Sequence, residues 1–151
     1  MFSSETLKFP FEIRPLVWVR LENLHTPEIP SVLMRALIDT GAARSVIPID
    51  ACSALGHDFE LGLNPSVAVG IGAGRMRTFT HATKLSILSA KWNETPDPDA
   101  VLFPSFEFQM EFVEQNLPFA LLGQRDFLTH FQYTQDGSQG WFSLKPTVEE
   151  L

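Results

Sequence analysis

The sequence predicts an all-β, barrel-like or sandwich domain with one or two short helices. Three observations point there. Apolar residues recur with period two in short runs, most clearly Phe106, Phe108, Met110 and Phe112. The runs are broken repeatedly by turn residues, 11 Pro and 9 Gly in all. The aromatic content is carried mainly by 13 Phe, a residue that suits pleated, half-buried surfaces. A length of 151 residues fits one domain, residues 1–151, with enough chain to bury a core.

The elements follow in order. Residues 13–21 read IRPLVWVRL, in which Leu16 and Trp18 alternate with Val17, Val19 and Leu21: a strand buried on one face and partly covered on the other. Residues 22–30 hold Asn23 and two prolines and form a connector. A second strand, 32–38, runs directly into Asp39-Thr40-Gly41-Ala42, and Ser45-Val46-Ile47-Pro48 resumes an apolar strand. Residues 48–55 make a short helix, with Pro48 in the first turn, Asp50 complementing the N-terminal dipole and Gly56 as the stop. Val67, Val69 and Ile71 alternate before Gly70-Ile71-Gly72-Ala73-Gly74, and Arg75 to Leu88 alternates again. This is a hairpin with a glycine-rich tip. Residues 91–105 carry three prolines and several acids and form an exposed excursion. Strands follow over 106–112 and 118–122, a two-turn helix over 124–130, and a last hairpin joins 131–133 to 141–144 through Asp136-Gly137-Ser138-Gln139-Gly140.

Charge and composition exclude several function classes. Acidic residues outnumber basic ones 18 to 11, a formal charge of −7, with no basic run, so a nucleic-acid partner is not expected. No stretch is long and apolar enough for a membrane helix, so no membrane partner is expected. The N-terminus lacks a basic region followed by an apolar one. With a single cysteine, Cys52, in an apolar run, the expectation is a reducing, cytoplasmic setting with Cys52 as a small buried hydrophobe. His25, His57, His81 and His130 show no ligand spacing and are read as surface or helix-end residues, so neither a metal nor a cofactor is expected. Arg75 and Arg77 are read as solvated strand residues. The Gly70–Gly74 cluster precedes strand periodicity, not the helix that a phosphate loop requires.

Asp39-Thr40-Gly41 carries the chemistry. Hydrolysis by water held between two carboxyl groups needs each Asp at the end of a buried strand, on a turn tight enough for two such turns to meet. Two carboxyl groups about 3 Å apart share one proton and titrate as a pair. The apolar run Ala36-Leu37-Ile38 before Asp39, and Ala42 after Gly41, have that form.

Over roughly residues 13–144 the chain resembles the retropepsins, the retroviral-type aspartic proteases and their bacterial relatives. Residues 15–19 are similar to the family's first long strand, 35–42 to its catalytic strand and loop, and 70–74 to its flap tip. Leu121-Leu122-Gly123 looks like the second hydrophobic-hydrophobic-Gly signature, which forms the ψ-shaped loop beneath the catalytic Asp. Residues 124–128 look like the short helix after it.

The resemblance implies a closed acid-protease barrel with a flap hairpin and an aspartic endopeptidase active on peptide or protein substrates. It implies Asp39 as the catalytic carboxylate, Thr40 as the residue that ties the loop across a dimer axis, and the Gly41 amide as what orients the carboxylate. It places Ala42, Gly70, Ile71, Gly72, Ala73 and Gly74 at the substrate and flap, and Leu121, Leu122 and Gly123 in the structural loop. With one Asp-Thr-Gly motif in the chain, a two-fold homodimer must supply the second carboxyl. The chain departs from the family in the extra Gln124 before Arg125-Asp126, in Ala43 where many members carry an acid, and in the long 91–105 excursion. A catalytically silent, dimeric peptide-binding module on the same fold is the alternative.

Overall fold

Residues 7–10, 14–70, 74–102 and 106–147 are described by a computed structural model. Among them, strands form wherever the period-two pattern is strong. They are β1 (Leu7–Pro10), β2 (Leu16–Asn23), β3 (Val32–Ile38), β4 (Val46–Pro48), β5 (Leu63–Gly70), β6 (Gly74–Ile87), β7 (Phe106–Val113), β8 (Ala120–Leu122), β9 (Phe131–Asp136) and β10 (Trp141–Pro146). The helix α1 spans Ile49–Ala54, and 3₁₀ turns lie at Phe59–Leu61 and Leu128–His130.

The strands hydrogen-bond in the order β2-β3-β8-β4-β7-β6-β5, and β2 also pairs with β6. The ring β2-β3-β8-β4-β7-β6 is therefore closed, a six-stranded barrel from which the β5–β6 hairpin extends. Closure removes the open edges that an isolated sheet would expose. The structure is thus a mostly-β closed barrel, as the resemblance implies. A separate three-stranded antiparallel sheet, β1-β10-β9, packs Phe9, Phe142 and Leu144 into the same core.

Alternation decides which residues fill the barrel. Val17, Val19 and Leu21 of β2 are fully buried, as are Leu85 and Ile87 of β6 and Met110 and Phe112 of β7. Each such side chain removed from water contributes about 1.5–3 kcal/mol. The other parity of β2 is half covered: the Arg20 guanidinium donates to the Pro98 carbonyl of the 91–102 excursion and pairs with Glu22. The excursion is otherwise exposed along most of its length.

α1 begins and ends as the sequence indicates. Pro48 is the N-cap, Asp50 sits in the first turn, and Gly56 takes φ +76°, the left-handed conformation that favours glycine after a helix. Asn23, expected in a connector, instead closes β2. It is buried, donates its amide to the Leu55 carbonyl at 2.9 Å and accepts from the His25 and Thr26 amides.

Three further expectations are corrected. β1 is an additional strand, in register with β10 from Leu7 opposite Leu144 to Pro10 opposite Trp141. Residues 124–130 do not form a two-turn helix. Turns over 124–127 lead into a single 3₁₀ turn, and the Leu128 and Thr129 amides reach back five residues, to the Gly123 and Gln124 carbonyls. The cause is competition: Asp126 is drawn to Ser45 while Phe127 and Leu128 turn into the core.

The third correction concerns the histidines. His81 is buried, and its ring stacks on His57 with centroids 4.6 Å apart against the edge of Phe112. His81 Nε2 contacts the Phe59 carbonyl at 3.2 Å, whereas His57 Nε2 is buried without a partner. Cys52, by contrast, is fully buried as expected, and burial, with Asp58 adding to it, pushes its thiol up to about 11.

Burial lowers the pKa of both imidazoles; repulsion from His81 and then His25 lowers His57 further, while contacts with Phe59 and Asp58 partly offset the effect on His81. Unfolded, each ring protonates at about pH 6.5. As pH falls below that value the unfolded chain binds protons first, so the stability contributed by the neutral pair is complete above about pH 6.5 and declines below it. The melting temperature is therefore expected to fall as pH is lowered below about 6.5, with a shallower slope in His57→Phe. Thermal melts of the two proteins at matched pH check this, and equal slopes would dismiss it. No helix among the described residues is long and apolar enough to cross a membrane.

Candidate active site

Strand order builds the site. β8 lies between β3 and β4, parallel to β3 and antiparallel to β4. The chain leaving β3 must therefore cross the C-terminal end of β8 to reach β4, and residues 39–45 make that crossing. Gly123, the residue that follows β8, lies directly beneath it. A Cβ at Gly123 would stand 2.5 Å from the Arg44 carbonyl carbon and oxygen and 2.9 Å from the Ala42 oxygen, so glycine is what allows the two backbones to stack.

The two segments are joined by hydrogen bonds. The Asp39 amide donates to the Leu122 carbonyl at 2.9 Å, and the Gln124 and Arg125 amides donate to the Ala42 and Ala43 carbonyls at 2.9 Å each. The Gln124 side-chain amide donates to the Thr40 carbonyl at 2.8 Å. Beneath them, the buried Ser45 hydroxyl donates to Asp126 Oδ1 at 2.7 Å and accepts from the Gly123 amide at 3.0 Å. The Ser45 amide also donates to the Asp126 carboxylate, at 3.0 and 2.9 Å to its two oxygens. Bonds to an ionised acceptor are stronger than neutral ones, so Asp126 anchors the crossing loop from below.

On this support Asp39 is half-buried, and the Gly41 amide donates to its Oδ1 at 3.0 Å. The Ala42 amide bonds back to the Asp39 carbonyl at 3.2 Å, which closes the turn. Thr40 and Gly41 are exposed. Asp39, Gly41 and Ala42 line a cavity of about 650 Å³, whose walls include Ala68 and Met76 of the β5–β6 hairpin and Leu121 of β8.

The signature at 121–123 is divided by its alternation: Leu122 faces the core, Leu121 the cavity, and Gly123 supports the loop. At the hairpin end, Gly70 pairs with Gly74, which takes φ +70°. Ile71, Gly72 and Ala73, the remaining expected flap residues, lie outside the described residues. Arg77 faces the outer side of the hairpin, where it pairs with Glu114 and Glu60 at 2.8 and 2.9 Å.

Sequence reading missed Ser45 and Asp126 as loop anchors, and Glu111, which sits on the cavity wall. Ser45 and Asp126 are 81 residues apart, and no local pattern joins them. Glu111 was detectable only as an acid on a strand whose alternate residues are apolar.

No protein-family model matches the chain, and no curated protein matches its sequence. Its fold is similar to the crystal structure of a retropepsin-like aspartic protease from Rickettsia conorii, with a TM-score of 0.59 and 14% identity over 94% of this chain and 100% of that one. The class defined by the fold is retropepsin-like. At that identity the likeness concerns the barrel and its connections alone.

Proposed function

We propose that the protein is an aspartic endopeptidase that works as a two-fold homodimer. The observation that carries the proposal is the placement of Asp39. Its carboxyl is held by the Gly41 amide on the wall of a cavity under the β5–β6 hairpin, on a loop buttressed from below by Gly123, Ser45 and Asp126.

In the dimer, the exposed Thr40-Gly41 turns of the two subunits meet at the axis and the two Asp39 carboxyl groups share one proton. The ionised carboxylate takes a proton from water as the water oxygen attacks the scissile carbonyl carbon. The protonated carboxyl gives its proton to the carbonyl oxygen, forming a neutral tetrahedral diol. Collapse of the diol breaks the C–N bond. One diol hydroxyl returns its proton to a carboxylate, and the departing nitrogen takes up a proton from the other carboxyl. The hairpin closes over the substrate and pairs with its extended backbone. Cys52 takes no part, since it is buried and its thiol is held protonated.

Purified protein is expected to sediment as a dimer at tens of micromolar, roughly where an interface worth about −7 kcal/mol assembles. Under the same conditions it should cleave peptides at acidic to near-neutral pH, lose activity as the carboxyl pair becomes doubly ionised, and be unaffected by thiol alkylation. A protein that remains monomeric, or that binds peptides without cleaving any across this range, would fail the proposal; the latter result favours a binding module.

A further inference from the structure

Glu111 stands out on the cavity wall. It lies on β7 with the opposite parity to the core residues Met110 and Phe112, so its side chain shares a face with Val113. The register extends that face across three strands. Glu111 is opposite Val46 of β4 and Thr80 of β6, and Val113 is opposite Thr78. Val46, Met76, Val113 and Leu121 line the same cavity as Asp39 and Glu111. An acid is thus set among mostly apolar walls.

Glu111 is half-buried, and among the described residues no cation comes within 4.0 Å of its carboxylate and no donor bonds to it. Among the described residues the one cation lining this cavity is Arg44, which is exposed. Structural acids in this protein behave differently, since Asp126, Glu114 and Glu60 all hold donors. Solvent reaches Glu111 through the cavity mouth. A peptide laid in the cavity removes that solvent, and a half-buried carboxylate left without a counter-charge is costly. An apolar substrate side chain is penalised there, whereas an ammonium or guanidinium on an aliphatic stem meets the apolar walls with its stem and the carboxylate with its head.

We propose that Glu111 makes this part of the cavity a subsite for a lysine or arginine side chain of the substrate. The inference rests on the cavity being the peptide-binding groove of the proposed endopeptidase.

The test uses wild-type protein, Glu111→Gln and Glu111→Lys with a mixture of peptides from a digested proteome, and cleavage sites are read by mass spectrometry. Lysine and arginine are expected to be enriched about tenfold at one position relative to the scissile bond, the size of effect a partly desolvated charge pair supplies. The enrichment should be lost in Glu111→Gln, turn toward Asp and Glu in Glu111→Lys, and weaken as salt is raised to about 0.5 M. Circular dichroism verifies the fold of each variant, and the salt series on wild type tests the subsite without any substitution.

Retention of the same peptide mixture on immobilised protein separates this inference from the protease reading. If wild type cleaves nothing yet retains Lys- and Arg-containing peptides in a Glu111-dependent manner, the subsite stands and the protease reading falls. Absence of basic-residue enrichment in both readouts, or its persistence in Glu111→Gln, overturns the subsite.

Discussion

Asp39→Asn is expected to lower peptide cleavage by at least about 10³-fold, near the loss typical when a general acid–base is removed, while leaving the thermal melt close to that of wild type. The two halves of this expectation have separate causes. Asn is nearly isosteric with Asp, and its side-chain oxygen can still accept from the Gly41 amide, now 3.0 Å from Asp39 Oδ1. The other bonds that fix the turn are made by backbone atoms of residue 39, to the Leu122 carbonyl and from the Ala42 amide, and do not depend on the side chain. The loop therefore keeps its shape. What disappears is chemistry. An amide neither takes a proton from water nor shares one with its counterpart, and in a homodimer a single substitution removes both carboxyl groups.

The contrast with Asp39→Ala sharpens the test, because alanine also deprives the Gly41 amide of its acceptor and should lower stability as well as turnover. Rates measured on the same peptide, alongside melts of both variants, give the answer. An Asn variant that cleaves as fast as wild type would exclude Asp39 from the reaction, whatever the fold.

The parts of this molecule legible in its sequence are those whose causes are local. Val17, Val19 and Leu21 announce β2 because a strand buries alternate residues, and Met110 and Phe112 announce β7 for the same reason. Pro48, Asp50 and Gly56 mark α1 because start and stop chemistry acts within one or two turns. These runs alone leave barrel and sandwich open, and the closed barrel is what the family resemblance carried by Asp39-Thr40-Gly41 and Leu121-Leu122-Gly123 implies.

The rest depends on partners distant in sequence. β1 has little pattern of its own, ends in Pro10, and is a strand because β10, more than 130 residues later, offers it a ladder. The stack of His57 on His81 and the Ser45–Asp126 anchor arise only when β6, the turn after α1 and the segment after β8 come together. Residues 124–130 have reasonable helix composition, yet Asp126 and Phe127 are drawn to different destinations and the regular helix is lost. Glu111 illustrates a further limit. Strand parity removes it from the core, but only the assembled fold reveals that the face it occupies lines the same cavity as Asp39.

Gly123→Val is expected to be the most destabilising single substitution in the site, at or above the upper end of the about 1–3 kcal/mol typical of overpacking. Overpacking is usually relieved by a neighbouring side chain changing rotamer. Here the atoms in the way are backbone, the Arg44 carbonyl at 2.5 Å and the Ala42 oxygen at 2.9 Å from the new Cβ. Those atoms belong to the crossing loop, which the Asp39, Gln124 and Arg125 amides and the Ser45–Asp126 pair hold from several directions. Making room requires lifting the loop and breaking several of these bonds together. Even Gly123→Ala adds the offending carbon and should lose much of the same stability.

Two glycines provide internal comparisons. A Cβ at Gly41 meets only the Asp39 side chain, at 3.3 Å, and one at Gly137 meets nothing within 4 Å. Denaturant melts should therefore rank Gly123→Val as most damaging and Gly137→Ala as nearly silent, with Gly41→Ala between them. The Gly123 variants should lose peptide cleavage along with stability, because the turn carrying Asp39 rises with the loop. A Gly123→Val protein that melts with wild type would mean that the loop does not rest on the end of β8, and the support drawn here beneath Asp39 would go with it.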